Sequence, residues 1–338
     1  MQKKKLGITF LILALLCLTG CTKQLKGPDG KVVMNEETGQ VLPSNILCAP
    51  TDEDILNLYR ENTKALEEKY AKELEDGDIG EKEYKKKVEA LMDIDEYTSC
   101  DDFKVLGEGD GIWTSLFVSP LSWVLIKVGK FLGNYGLAII FTTLLIRLIM
   151  YPITLKTAKQ SENLKKAKPE MDKIEKKYKN KTDQESMTKK AQEQMILYKK
   201  YNINPFSGCL YSLLQIPLFF AFYEALYRLP VLFEDELLSF QMSVSPAKGI
   251  GAGNWLYVIL PVLVFFATYF SFKLNSGAGM SGEQAKQMKM TMNIMNVVIT
   301  FMSFTMSSAI IFYWITNNTF TIIQNLIVKR STKNDKVV

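Results

Sequence analysis

Hydrophobic residues along the chain are gathered into long runs that alternate with strongly charged stretches. Five of the runs have close to the length that a helix needs to cross about 30 Å of hydrocarbon. These runs are residues 135–153, 206–226, 255–272, 290–306 and 308–328. The pattern therefore predicts an all-α integral membrane protein with five transmembrane helices.

A shorter apolar run, residues 6–18, follows three lysines at 3–5 and is too short to span a bilayer stably. This layout is typical of a signal peptide. Its end, Leu18-Thr19-Gly20-Cys21, looks like a bacterial lipobox, in which the cysteine becomes the acylated first residue of the mature chain. We predict a cleaved signal over residues 1–20 and a lipid on Cys21. An ordinary signal peptide with an incidental cysteine is the alternative.

The apolar stretch 117–132 differs from the five runs because it carries Lys127 and Lys130 and is interrupted by Gly129. Such a mixture is typical of an amphipathic helix in the membrane interface. We therefore expect this stretch to lie along the bilayer surface rather than cross it.

An acidic segment, residues 21–112, separates the signal from the apolar runs. Positions 22–111 hold 23 acidic and 12 basic residues, a balance of −11 in a chain whose total is +5. Apolar residues at helical spacing after Asp52, and again over 81–92, predict a small helical extracytoplasmic domain whose two helices fold back on each other. This fold brings Cys48 near Cys100, and the sequence fits either a disulfide or two free thiols.

Basic residues are concentrated between the first two runs. The loop 155–203 holds 14 lysines and seven acidic residues, which places it in the cytoplasm. It is predicted to form a helical hairpin, with the first arm divided at Pro169 and the second opened by Thr182-Asp183-Gln184-Glu185. Five crossings from an outer N-terminus also put the basic tail, 331–338, in the cytoplasm. The hairpin is either a contact for ribosomal RNA, anionic lipid or a nascent chain, or a topology signal alone.

Several classes of chemistry are unsupported by the composition. The chain has no histidine, its five cysteines show no CxxC spacing, and it has no Walker-type glycine loop. Paired mid-membrane aspartates, which an intramembrane protease would use, are also missing from the apolar runs. We therefore expect no enzymatic activity, no metal and no small-molecule cofactor.

Arg147 is the most unusual residue within the apolar runs. On a straight helix it lies nine residues before Lys156, roughly 13 Å deep, where an arginine is costly unless it faces a polar cavity. We predict a hydrophilic groove lined by this arginine and by polar side chains of other runs. The alternative is that backbone carbonyls and hydroxyls between packed helices hold it. The candidate groove residues are Arg147, Thr143, Gln215, Trp314, Asn317 and Asn318.

Ordered motifs over about residues 113–330 resemble the YidC/Oxa/Alb family of membrane protein insertases. They are the run 136–140 continuing through Arg147, Tyr151 and Pro152, then 201–205, then 215–217, and last 313–318. The lipobox and five spans look like the Gram-positive form of the family. The resemblance implies a groove that is open to the cytoplasm and the bilayer, faced by Arg147, Gln215 and Trp314. It also implies nascent membrane proteins as partners, with or without a Sec translocon and a translating ribosome, at the bacterial cell membrane.

Two departures from the family pattern stand out. The outer segment is longer than expected, and the third span offers only Thr268, Tyr269 and Ser271 as polar groups, so we assign it no groove residue. Two other functions remain alternatives. A transporter or channel for an anionic solute would also use a buried arginine, although no repeated halves are visible. A lipoprotein scaffold would use the spans only as an anchor.

Overall fold

The structure is a computed structural model that describes residues 23–105, 111–204, 207–275 and 282–334. The signal segment 1–20 and Cys21 lie outside the described residues. The described chain is mostly helical and forms two compact units. The first unit contains the described residues up to Thr142, together with Pro217–Tyr257 and Ser307–Ile310. The second contains Thr143–Ile216, Val258–Met306 and the described residues from Ile311 onward.

The first unit begins with a segment that the sequence does not predict. Residues 23–49 are not helical. They form isolated antiparallel bridges, with Gln24 opposite Pro43, Lys26 opposite Val32 and Met34 opposite Val41. The outer domain therefore contains the two predicted helices and, in addition, a non-helical segment that was not predicted. The pairing residues are 6 to 19 positions apart, and short bridges at such spacing leave no clear period in the sequence.

Two helices follow this bridged segment. Helix α1, Glu53–Glu75, begins where the Asp52 carboxylate accepts hydrogen bonds from the amides of Asp54 and Ile55. Helix α2, Glu81–Glu89, is shorter than the predicted 81–92. The core of this region joins Leu25, Leu42 and Ile46 of the bridged segment to Tyr59 of α1 and to Ile94, which follows α2. Burial of these side chains fixes the bridged segment against the helices.

A disulfide joins Cys48 to Cys100, with the two Cα atoms 4.8 Å apart. This is the pairing that the sequence allowed. Both sulfur atoms are buried, and the bond is reinforced by a parallel bridge between Ala49 and Ser99. The disulfide therefore ties the end of the bridged segment to the chain that follows α2.

Helix α3, Ser119–Leu132, continues a π-helical turn at Thr114–Val118. The π-helical turn and α3 together form a helix, Thr114–Leu132, that has a mean hydropathy of 1.4 and is long enough to cross a bilayer. Its composition therefore does not restrict it to the membrane interface, contrary to the prediction. Gly129 is not a helix interruption. A Cβ at this position would come 2.2 Å from the ring of Tyr135, so the glycine makes room for that ring.

Helix α4, Tyr135–Ile149, stops four residues earlier than the predicted span 135–153. Met150 separates it from α5, Tyr151–Lys177, and the two helices are bent by 70°. Pro152 explains the break, because it has no N–H for the carbonyl of Leu148 and its ring clashes with that carbonyl in a continuous helix. The straight helix assumed in the depth estimate for Arg147 is therefore wrong.

Helices α5 and α6, Gln184–Lys200, form the predicted hairpin. Helix α5 is not divided at Pro169, which lies inside one continuous helix. Its neighbours Ala167 and Met171 pack with Leu197 and Ile203 in a small core, and this burial opposes the loss of one backbone hydrogen bond. The second arm begins at Asp183, whose carboxylate accepts from the amide of Ser186 at 2.8 Å.

All of the remaining helices except the short α8 overlap the later apolar runs. They are α7, Ser207–Arg228; the short α8, Pro246–Gly251; α9, Ile259–Asn275; α10, Gly282–Ser303; and α11, Ser308–Asn334. A two-stranded antiparallel sheet lies between α7 and α8, with β1, Glu236–Leu237, paired to β2, Phe240–Gln241.

By length and hydropathy, two described helices are able to cross a membrane, Thr114–Leu132 and Trp255–Leu274. The bent pair of α4 and α5 adds a third if it acts as one broken span. The structure therefore confirms a mostly helical protein with two or three candidate spans. The five-span arrangement stays a prediction.

Candidate functional site

Arg147 lies in the last turn of α4, two residues before that helix ends at Ile149. The carbonyl end of a helix carries partial negative charge, which favours a cation there. The break caused by Pro152 therefore places the guanidinium at a helix end, where the backbone contributes to its stabilisation. Only 4% of the Arg147 surface is exposed.

A side-chain hydrogen bond connects Arg147 to α11. Its Nε donates to Oδ1 of Asn317 at 2.6 Å. Asn317 is neutral, so this bond satisfies a donor of the guanidinium without cancelling its positive charge. Thr143 lies one helical turn earlier on α4 and is also buried, with 2% of its surface exposed. The structure thus places a buried cation beside neutral polar groups of two helices.

Trp314 and Asn318 form a second contact on α11, one that also involves α9. The indole N–H of Trp314 donates to the hydroxyl of Thr268 at 3.0 Å. The amide of Asn318 donates to the Trp314 carbonyl at 2.9 Å, a bond within one helix turn. Thr268 is therefore a polar contact residue, a role that was not predicted for it. Its position among aromatic and apolar neighbours offered no sign of a partner 46 residues away.

Gln215 is not joined to these groups by a hydrogen bond among the described side chains. It is half-buried on α7, next to the exposed Ile216. Another pair, outside the predicted set, is buried in the same unit, where Nε2 of Gln324 donates to the hydroxyl of Thr154 at 2.7 Å. The second unit therefore joins α5 to α11 by polar contact as well.

Asn296 on α10 provides a further polar group in the second unit. It is 3% exposed, and its Oδ1 accepts no hydrogen bond from the described residues. A buried amide oxygen without a donor is unfavourable, so Asn296 adds an unsatisfied polar group to this unit.

A second buried arginine, Arg228 at the end of α7, lies in the first unit and was not predicted. Its Nη1 donates to Glu224 Oε1 at 2.9 Å and to the Thr114 hydroxyl at 3.2 Å, and its Nε donates to the carbonyl of Asn45. The other Glu224 oxygen accepts from the indole of Trp113 at 2.9 Å. The spacing of Glu224 and Arg228, four residues apart on a helix, was the available signal.

This Arg228 network attaches the bridged segment to α7. The Leu47 amide donates to the Arg228 carbonyl at 3.0 Å, and the Tyr227 hydroxyl donates to the carbonyl of Val41 at 3.1 Å. The end of α7 is thereby fixed to residues 41–47, and we interpret Arg228 as a structural residue.

Comparison with known proteins shows the family. A family model described as 60Kd inner membrane protein matches residues 127–336, more than half of the chain. Similar proteins include membrane protein insertase YidC 2 of Listeria innocua, 35% identical over 68% of this chain and 76% of the relative. The chain belongs to the YidC family of membrane protein insertases.

Other YidC-family proteins match over a similar extent. Membrane protein insertase MisCA of Bacillus subtilis is 33% identical over 68% of this chain and 85% of its own. A crystal structure of active YidC insertase, with its first transmembrane domain resolved, is 25% identical with a TM-score of 0.46. That match covers 78% of this chain and 52% of the solved one, so the chain spans about half the length of that protein. All of these relatives are named as insertases.

Proposed function

We propose that this YidC-family chain helps nascent membrane proteins enter the bilayer by lowering the cost of bringing their polar parts into the second unit. The observation that carries the proposal is the buried guanidinium of Arg147, held by the neutral Asn317 at the end of a broken helix. A transporter of anionic solutes, the alternative from the sequence, is not favoured by the insertase relatives.

Electrostatics explain how Arg147 would act. An acidic or strongly polar segment loses its hydration when it leaves water, and this loss is expensive in a medium of low dielectric constant. A positive charge fixed in that medium offsets part of the cost, and Thr143, Gln215, Trp314 and Asn318 would supply polar contacts along a hydrophilic groove. The client then gains free energy when its apolar segment enters lipid, so the step needs no nucleotide.

The arrangement in the membrane is part of the proposal. Residues 1–20 would be the signal and Cys21 the lipid anchor, with the acidic segment 21–112 outside the cell. The core, 113–330, would cross five times and place the hairpin, 155–203, and the tail, 331–338, in the cytoplasm. The disulfide supports an oxidising compartment for the acidic segment, and the lysines of the hairpin support a cytoplasmic position.

Partners other than the client follow from the hairpin. Its ion pairs, such as Lys177 with Glu193 and Lys190 with Glu175, use only some of its 14 lysines. The excess positive charge fits a translating ribosome or anionic lipid, and a Sec translocon would be a neighbour in the bilayer.

Replacement in cells depleted of the native protein tests the function. We expect wild type and Arg147→Lys to restore insertion of a single-span client with an acidic outer tail. Arg147→Ala should lower the insertion rate by about ten-fold or more, the size expected when a hydrogen-bonded charge is lost. Arg330→Ala is the matched control because it makes the same change at an exposed position. Equal rescue by all four proteins at equal membrane levels would remove Arg147 from the mechanism.

A further inference from the structure

A cavity of about 580 Å³ lies in the first unit. It is bounded by the bridged segment, the first turns of α1 and the chain that follows α7. Its volume is within the range of sites that bind small organic molecules or short peptide segments. Neither Arg147 nor any other predicted groove residue lines it.

The charges around this cavity have one sign. Glu36, Glu37, Asp54 and Glu61 line it, and none of these four forms an ion pair with a described residue. No lysine or arginine is among the lining residues. Asp52 and Glu234 also line it, so six carboxylates surround one space. They repel each other, and a cation inside the space would relieve that repulsion.

The floor of the cavity is aromatic and rigid. Tyr59 and Tyr227 line it, and their hydroxyls are already committed to the carbonyls of Pro43 at 2.8 Å and Val41 at 3.1 Å. Phe233 and Leu58 extend the apolar surface. Tyr227 and Leu58 are partly exposed, whereas Tyr59 and Phe233 are only 2% and 5% exposed, and this accessible apolar surface suits the stem of a cation.

Ser243 provides an independent indication of a ligand. It lines the cavity and is only 4% exposed, yet its hydroxyl makes no hydrogen bond with the described residues. A buried hydroxyl without a partner is unfavourable, and a ligand that carries a hydrogen-bonding group would satisfy it.

A metal ion does not fit this site. No group of three or more aspartate, glutamate, cysteine or histidine side chains among the described residues is placed to hold one. The carboxylates instead surround a space large enough for an organic cation. We propose that the cavity binds an alkylammonium or guanidinium group on an apolar stem, with the charge among these carboxylates and the stem against Tyr227 and Leu58.

Two sources carry this chemistry, the Lys and Arg side chains of an exposed polypeptide segment and free polyamines. Titration calorimetry on the full-length protein in lipid nanodiscs distinguishes them, with three probes. These are an acetylated Lys-Leu-Lys peptide amide, the same peptide with Glu in place of Lys, and spermidine. We expect the lysine peptide or spermidine to bind, and the glutamate peptide not to bind. Affinity should weaken as salt is raised from low to about 0.5 M, because salt screens charge.

A variant that carries Glu36→Gln, Glu37→Gln, Asp54→Asn and Glu61→Gln should lose about ten-fold or more in affinity. The matched control carries Glu67→Gln, Glu68→Gln, Glu75→Gln and Asp78→Asn, four exposed positions that do not line the cavity. Both variants change the net charge equally, so the control reports attraction to the acidic segment as a whole. It should bind as wild type does.

Ser243→Ala tests the hydroxyl separately. It should weaken binding by about five-fold, the effect of one hydrogen bond to a ligand. Because that hydroxyl has no partner among the described residues, the variant should have a thermal midpoint at least as high as that of wild type, which separates lost contact from misfolding.

Equal affinity of the four-site variant and its control, or no binding of either cation, would overturn the proposal. Spermidine binding without peptide binding keeps the site and assigns it to free polyamines. These measurements involve no client protein, so they remain decisive whatever the outcome of the insertion experiment with Arg147.

Discussion

Each of the two units buries one arginine, and the two are held differently. Arg228 in the first unit meets the carboxylate of Glu224 at 2.9 Å, together with Thr114 and the carbonyl of Asn45. Arg147 in the second unit meets the neutral amide of Asn317 at 2.6 Å. They are 2% and 4% exposed, so burial does not distinguish them. The described side-chain partners do, since one is a carboxylate at Arg228 and the other a neutral amide at Arg147.

The difference indicates two uses of the same side chain. A buried arginine with a carboxylate and several further hydrogen bonds fixes chain segments in place, and its removal or that of its partner destabilises the fold. A buried arginine beside a neutral amide keeps a field that an acidic group can still feel. The comparison predicts that variants at Arg228 damage folding, whereas variants at Arg147 damage insertion.

The largest expected effect is on folding of the first unit. Glu224→Gln leaves the Arg228 charge buried without its carboxylate, and we expect a loss of about 3–5 kcal/mol in the free energy of unfolding. Chemical unfolding in mild detergent measures it. The matched control is Glu83→Gln, which breaks an exposed pair with Lys87 and should cost less than about 1 kcal/mol. Equal effects of the two substitutions would contradict a structural role for Arg228.

Removal of the disulfide should have the next largest effect. With Cys48 and Cys100 both changed to Ser, we expect the first unit to lose about 2–5 kcal/mol of stability, because the unfolded chain is no longer constrained. Client insertion should persist at equal membrane levels, since Arg147 and Asn317 are in the other unit. A fall in insertion as deep as that of Arg147→Ala would show that the two regions do not act separately.

Asn317→Asp makes the comparison sharper, because it gives Arg147 the kind of partner that Arg228 already has. We expect folding to be retained and insertion of the acidic client to fall by about ten-fold, since the new carboxylate competes with the client for the guanidinium. Asn180→Asp, at an exposed position in the hairpin turn, is the control. Undiminished insertion by Asn317→Asp would mean that the field of Arg147 is not what clients use.

The smallest effect concerns pH and the hairpin. Hydrogen bonds from Lys200 and Tyr201 lower the pKa of Glu170 below its ordinary 4.5. A depressed pKa means that this contact stabilises the hairpin above about pH 4.5 and that the stabilisation is lost as pH falls further. Hydrogen exchange of α5 and α6 at pH 7 and pH 3.5 should show this loss in wild type. Glu170→Gln should lack the part of the change that is due to this carboxylate.

The sequence predicted elements far better than it predicted their breaks and contacts. Apolar periodicity located the helices, and the unusual position of Arg147 in an apolar run singled it out without a structure. The bend after Ile149 was not predicted, although Pro152 is visible in the sequence. The span was predicted from the length of the apolar run alone, and the backbone hydrogen bond that this proline removes was not considered. Local chemistry at one residue therefore overrode the length rule.

Contacts between distant residues were the part that one sequence could not supply. Thr268 and Trp314 are 46 positions apart, and Asn45 and Arg228 are 183 apart, so no local period links them. The bridged segment was difficult to predict for the same reason, although its paired residues are closer together in the sequence. The Cys48–Cys100 pairing was accessible only because cysteines are few and two helices between them suggested a hairpin.

The attachment of residues 41–47 to α7 also sets an order of events during synthesis. Cys48 and Cys100 both precede α3, so their ring is able to close while the rest of the chain is still being made. The Asn45 carbonyl must wait for Arg228, 183 residues later, which takes about 10–35 s at ordinary translation rates. During that interval the bridged segment is able to form its own core but has not yet made its contacts with α7. The completion of α7 therefore supplies the last contacts of a domain whose synthesis began first.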